Sequence, residues 1–295
     1  MKYLSNIFIV PSRPEHINHI SMSCQRARNG FTLLELLASV AIIGILSAIV
    51  FAVNTNVSKR AKMINEIGAA KNVSAAYQLY SVDHDGQYMP GLDRTQKSIT
   101  FRDRKISFME APHRYPYRLA PYLNYEFEGA IFVNGNQEQI IDKANASTGG
   151  LYDYMVSLWP ALGMNMFFVG GEVYGDGSML ADQIDEVVTS HFQATEPIIA
   201  FASAGIGANP EMDLDDDILG YHLIRAPYTW DRYDWSEKLS PALFGNVAAR
   251  HDGKAVCAFT DGSVQTLTIE ELSDMRLWSN RAALTENPSY HPDQP

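Results

Sequence analysis

Cysteine is almost absent from this chain, with two in 295 residues. Cys24 lies near the N terminus, and Cys257 sits in the apolar string Ala255-Val256-Cys257-Ala258-Phe259, where a lone thiol reads as a small core residue. If the N-terminal segment is removed, no intramolecular disulfide can form. Basic residues are outnumbered, 23 Lys plus Arg against 34 Asp plus Glu, for a net charge of −11. That balance argues against general nucleic-acid binding, which relies on Lys and Arg against phosphate. Catalytic strings are missing too. No G-x-S-x-G and no H-E-x-x-H occurs, so nothing marks a nucleophile or a zinc site. The reading is of a non-enzymatic chain with no catalytic residue, cofactor or metal.

Charge is nearly missing from one long run. Residues 31–53, FTLLELLASVAIIGILSAIVFAV, hold a single ionisable residue, Glu35. A bilayer core needs about 20 apolar helical residues, so the run predicts a transmembrane helix. It is too long for the apolar region of an ordinary secretory signal. Gly44 and Ala48 stand four apart, a small-xxx-small pair that admits another helix closely. A carboxylate in such a run is costly and needs a partner. Arg26, Arg28, Asn29 and Gly30 lead directly into Phe31. A cut after Gly30 would give Phe31 a free amine four residues from Glu35, on the same helical face. That amine could equally meet Glu35 of a neighbouring copy.

The string R-N-G-F-T-L-L-E, residues 28–35, resembles the class III signal of type IV pilins and type II secretion pseudopilins. The resemblance implies cleavage after Gly30 by a prepilin peptidase, N-methylation of Phe31, and assembly with sister subunits through Glu35. It also implies a single-pass protein of the bacterial inner membrane, in contact with its lipid, with the leader cytoplasmic and the C-terminal head extracytoplasmic, and with assembly into a filament as one option. Many type IV pilins staple a C-terminal loop with a disulfide. This chain departs from them there, which fits a pseudopilin better than a major pilin. Residues 1–30 then form the leader, and Met22 offers a shorter, basic alternative start. Losing Lys2, Arg13, Arg26, Arg28 and Glu15 with it leaves 19 basic and 33 acidic residues, a net charge of −14.

Residues 54–82 predict an amphipathic helix continuing the first, with Val53, Val57, Ala61, Ile64, Ile67, Ala70, Val73, Tyr77 and Tyr80 on one stripe. Lys59, Lys62, Asn65, Glu66, Lys71 and Asn72 occupy the polar face. Together 31–82 would make a rod of roughly 78 Å at 1.5 Å per residue, with Gly68 a candidate bend. Asp83 to Gly91 carries turn signals. The string YQLYSVDHDGQYMPG (77–91) resembles the helix exit of pseudopilins. The acids of an EF-hand loop are missing there.

Residues 83–295 predict an α+β head with an antiparallel sheet. Ile99–Met109 reads as a strand pair, Tyr117–Leu123 as a short helix and Ala130–Val133 as a strand. Leu151–Leu162 reads as a helix, Ile198–Phe201 as a buried strand and Tyr221–Arg225 as a further strand. Asp213, Asp215, Asp216 and Asp217 form an acid cluster that reads as a solvated loop, with calcium as the other option. Tyr221, Tyr228, Trp230, Tyr233 and Trp235 read as a packed loop, or as a partner-binding or glycan-binding face.

Ala255–Leu267 predicts a hairpin across Asp261-Gly262. The string RHDGKAVCAFTDGSV (250–264) resembles the H-x9-DG C-terminal element of bacterial pilin-like proteins, with His251, Asp261 and Gly262 in its named places. Gly163-Met164-Asn165 followed by Gly170-Gly171 resembles that class less specifically. His251 and Asp261 could form an acid–base pair, but no nucleophile accompanies them, and a structural tie to the hairpin is the preferred reading. Residues 269–285 predict one helix, and 286–295 a polar tail. The reading is thus a pseudopilin-like or minor pilin subunit. A membrane-tethered binding protein that does not assemble and a tethered hydrolase are the rivals.

Overall fold

The apolar and amphipathic patterns of 31–82 form one helix, α1 (Leu33–Asp83). The structure, a computed structural model, describes residues 31–145, 151–179, 186–207, 220–227, 235 and 240–292; for 50–55 and 142–145 it describes the backbone alone. The chain divides into two compact units, Met1–Ala52 and Val53–Pro295, and α1 contributes to both.

In the first unit the described side chains from Phe31 to Ile49 are exposed, including Leu33, Leu34, Leu37, Ile43 and Ile45. No helix among the described residues is long and apolar enough to cross a membrane. The described side chains of this run stop at Ile49, whereas the apolar sequence continues to Val53. The expected span therefore rests on the residue pattern of 31–53.

The second unit is an α+β head. After α1 come β1 (Leu92–Asp93), β2 (Ile99–Phe101), β3 (Arg104–Ile106), α2 (Tyr115–Leu119), α3 (Asn136–Asn145), α4 (Leu151–Leu158), β4 (Leu162–Met164) and β5 (Glu172–Val173). Then follow β6 (Ile199–Ser203), β7 (Lys254–Phe259), β8 (Val264–Thr268), α5 (Ile269–Leu272) and α6 (Asn280–Leu284). The main sheet is antiparallel in the order β4-β6-β7-β8. β6 is buried at every position, as an inner strand covered on both faces must be.

From Glu66 onward α1 buries Ala69, Ala70, Val73, Ala76 and Tyr77 in the head core. The three alanines keep the helix backbone close to its neighbours. Tyr77 then fills the space beyond, with its ring edge-on to Phe201 at 5.2 Å and its hydroxyl donating to the Met89 carbonyl at 3.1 Å. Burying Phe201 contributes about 1.5–3 kcal/mol. The head core thus reaches back along α1 as far as Glu66.

Several local expectations are corrected. Ala130–Val133 is a turn, with Ile131 and Phe132 N–H groups both donating to the Phe127 carbonyl. Tyr221–Arg225 contributes an isolated parallel bridge, Met164 to Leu223. The helix expected over 151–162 ends at Leu158, and β4 follows. The helix expected over 269–285 is broken into α5, a 3-10 turn (Met275–Leu277) and α6, because Asp274 and Ser279 each cap a new start. On α1, Ala70, Val73 and Tyr77 of the expected stripe are buried, whereas Val57 and Ile64 are 57% and 63% exposed and Glu66, expected on the polar face, is 1% exposed. The strand pair at 99–109 and the hairpin at 255–267 form as expected. The acid cluster at 213–217 and Tyr228, Trp230 and Tyr233 lie outside the described residues. Trp235 packs edge-on to Trp278 and Phe244, both at 5.7 Å, which favours the packed-loop reading for that residue.

Candidate functional site

At the start of α1, Thr32 and Glu35 cap the helix reciprocally. The Glu35 carboxylate accepts from the Thr32 N–H and hydroxyl, each at 2.9 Å, and the Thr32 hydroxyl accepts from the Glu35 N–H at 3.2 Å. This is the capping box, which satisfies donors that a helix start otherwise leaves open. Both bonds to the carboxylate fall on Oε2, so Oε1 is left for a further donor. The Thr32-x-x-Glu35 spacing is itself the sequence signature of such a box. Phe31, beside it, is 83% exposed.

The head contains a second constellation, built on a residue that the sequence pattern placed on the polar face. Glu66 is buried on α1. Its carboxylate accepts from Arg250 Nε at 3.0 and 3.2 Å and from Arg250 Nη2 at 3.0 Å. It also accepts from His251 Nε2 at 2.9 Å and from the Ser203 hydroxyl. Ser203 Oγ in turn accepts from the Val256 N–H at 2.8 Å. Arg250 also donates from Nη1 to the Ala204 carbonyl at 3.0 Å and from Nη2 to the Ala161 carbonyl at 2.5 Å. Burial alone would raise the Glu66 pKa. The Arg250 charge and the hydrogen bonds from His251, Ser203 and Arg250 more than offset this and hold it at about 2. The same carboxylate adds to the burial that pushes the Cys257 thiol up.

His251 therefore ties the start of β7 to α1 and makes no hydrogen bond to Asp261. Asp261 turns its own carboxylate to the Ser263 N–H, 2.8 Å away, and Gly262 holds the turn at φ +87°. The expected tie between His251 and the hairpin turn is thus replaced by a tie to the long helix. Ser203 and His251 both bond the carboxylate and not each other, so the nucleophile–base contact of a catalytic triad is missing.

Asn165 closes the other end of the sheet. Its buried amide donates to the Ile199 carbonyl at 2.8 Å and the Trp278 carbonyl at 3.2 Å. Gly163 has no room for a side chain, because a Cβ would lie 2.7 Å from Ile224 Cγ2. Gly170, at φ +74°, would press a Cβ onto the Met89 carbonyl. The Gly-Met-Asn string is explained by packing.

Residues 25–51 match the family model described as the prokaryotic N-terminal methylation motif. The chain carries a prepilin-type, type IV pilin-like N-terminal signal. The matched stretch includes Gly30, Phe31, Thr32 and Glu35. Such a signal implies a prepilin peptidase and other pilin-type subunits as partners. No curated protein and no solved structure matches the chain.

Proposed function

We propose that the chain is a pseudopilin-like or minor pilin subunit of a type II secretion or type IV pilus-like apparatus. It is cut between Gly30 and Phe31 and methylated at Phe31. Residues 31–53 hold it in the inner membrane and join it to sister helices, with the head outside. The observation that carries this reading is the methylation-type signal at 25–51, set on a run whose lone ionisable residue is Glu35. Glu35 Oε2 is occupied by Thr32, and Oε1 is the oxygen that would receive the Phe31 amine of a neighbour. The Glu66 clamp gives the head a means of bearing load. It fastens α1 to β6 and to the start of β7, so that a helix pulled or displaced within an assembly carries the sheet with it.

Crosslinking tests assembly against simple tethering. Cys24 leaves with the leader, and Cys257 is buried. In Ala48→Cys the new thiol is then the accessible one in the mature chain, and it lies on the small-residue face with Gly44. Oxidation in membranes should give crosslinked copies or crosslinks to sister subunits. A population that stays monomeric under oxidation contradicts assembly through this helix.

A further inference from the structure

The head is acidic, yet one cleft in it is lined by cations. Lys59, Arg60, Lys62 and Met63 of α1 form one wall, and Arg250, His251 and Asp252 form the other, around a volume of about 330 Å³. Asn134 closes it, donating to the Lys62 carbonyl at 2.8 Å. Arg250 is neutralised by Glu66 in the floor. Lys59 meets Asp252 at 3.2 Å, but both are largely exposed, and exposed pairs of this kind are weak and exchange partners readily. Among the described residues the side chains of Arg60 and Lys62 have no hydrogen-bond or ion-pair partner. The cleft is therefore a local site with two uncommitted cations, on a chain whose net charge is −11.

We infer that this cleft binds the phosphate headgroup of an anionic membrane lipid. Lys and Arg donors suit a phosphodiester, with Arg able to present two donors to adjacent oxygens. The choice of lipid as the source of the phosphate rests on the reading of 31–53 as a membrane anchor. Lys59, Arg60 and Lys62 follow that run by six to nine positions in the chain, with no acidic residue between. Basic side chains next to a membrane segment are drawn to anionic lipid.

The mature full-length chain should be placed in nanodiscs of phosphatidylcholine alone and in discs where phosphatidylglycerol replaces part of it. Amide hydrogen exchange is then followed at 57–64 and 249–254. Protection is expected in the anionic discs, with its loss in R60E/K62E, whose side chains are exposed and bear no part of the fold. Inorganic phosphate added to neutral discs should not reproduce it. Equal exchange in the two kinds of disc overturns the site. Equal protection by inorganic phosphate overturns the lipid assignment. A chain that enters neither disc overturns the anchoring reading, and the lipid assignment falls with it, whereas a chain that enters both and exchanges alike leaves anchoring intact.

Discussion

Glu66 and His251 stand 185 positions apart and share a hydrogen bond of 2.9 Å inside the head. With Arg250 and Ser203 they join α1 to the sheet through one buried carboxylate. Glu66→Gln leaves the Arg250 guanidinium buried without its anion, and removing one partner of a buried pair typically costs about 3–5 kcal/mol. Replacing both, as E66L/R250M, should recover much of that loss, because an apolar pair of similar volume is often close to neutral. Urea unfolding of the three proteins checks this. Equal midpoints for wild type and Glu66→Gln would show that the pair does not hold the head.

The clamp also gives the head an acid-labile stability. The Glu66 carboxyl titrates at about 2 when folded, against an ordinary value of 4.5. Because the folded value is the lower, the stabilisation is full above about pH 4.5 and is lost as the pH falls towards 2. The whole shift is worth roughly 3 kcal/mol. Unfolding free energy measured across that window should fall more steeply for wild type than for Glu66→Gln. Parallel curves would assign the low pKa to no contact of this kind.

At the hairpin, Gly262 adopts φ +87°, and a Cβ there would lie 2.6 Å from Gln78 Nε2 on α1. In Gly262→Val the main cost is the strain of a β-branched residue at positive φ, and the end of the Gln78 side chain must also move aside. A clear drop in melting temperature is expected, and a smaller one for Gly262→Asn, which tolerates the left-handed region. An unchanged melting temperature in Gly262→Val would remove the turn from the stability of the head.

Under the proposed function, Glu35 should matter for assembly and not for processing. A carboxylate costs about 2.5–3.5 kcal/mol at a helix centre on insertion scales and less near an end, so Glu35→Val should insert and be cut normally. It should lose co-purification with sister subunits, because the oxygen that would receive a neighbour's amine is gone. Glu35→Gln keeps an oxygen for Thr32 and loses the charge, so it isolates the ion pair from the cap. Gel shift for processing and pull-down for assembly give both readouts. Normal co-assembly of Glu35→Val would leave the carboxylate as a helix cap alone.

Sequence pattern reached the elements whose signals are local. The helix follows from the apolar run of 31–53 and the periodicity of 54–82, and the β7–β8 hairpin from Asp261-Gly262 between two β-rich strings. Ala130–Val133 and Tyr221–Arg225 were beyond it, because a short apolar string looks alike in a strand and in a buried turn. The break at Asp274 and Ser279 was readable as capping chemistry, but one apolar period runs across it. Glu66 was hidden for a different reason. A lone acid among lysines reads as solvated, and the partners that bury it lie 137 to 185 positions away. At the N terminus both the motif residues and the Thr32 cap are legible, because the capping spacing is as local as the motif.

The claim that the rest depends on is that residues 1–30 are removed at Gly30. Mass spectrometry of the membrane form, purified from cells with an active prepilin peptidase, tests it directly. An N-terminal peptide that begins at Phe31 and carries one methyl group on its amine is the predicted result. A chain that still begins at Met1 or Met22 in those cells would contradict the account.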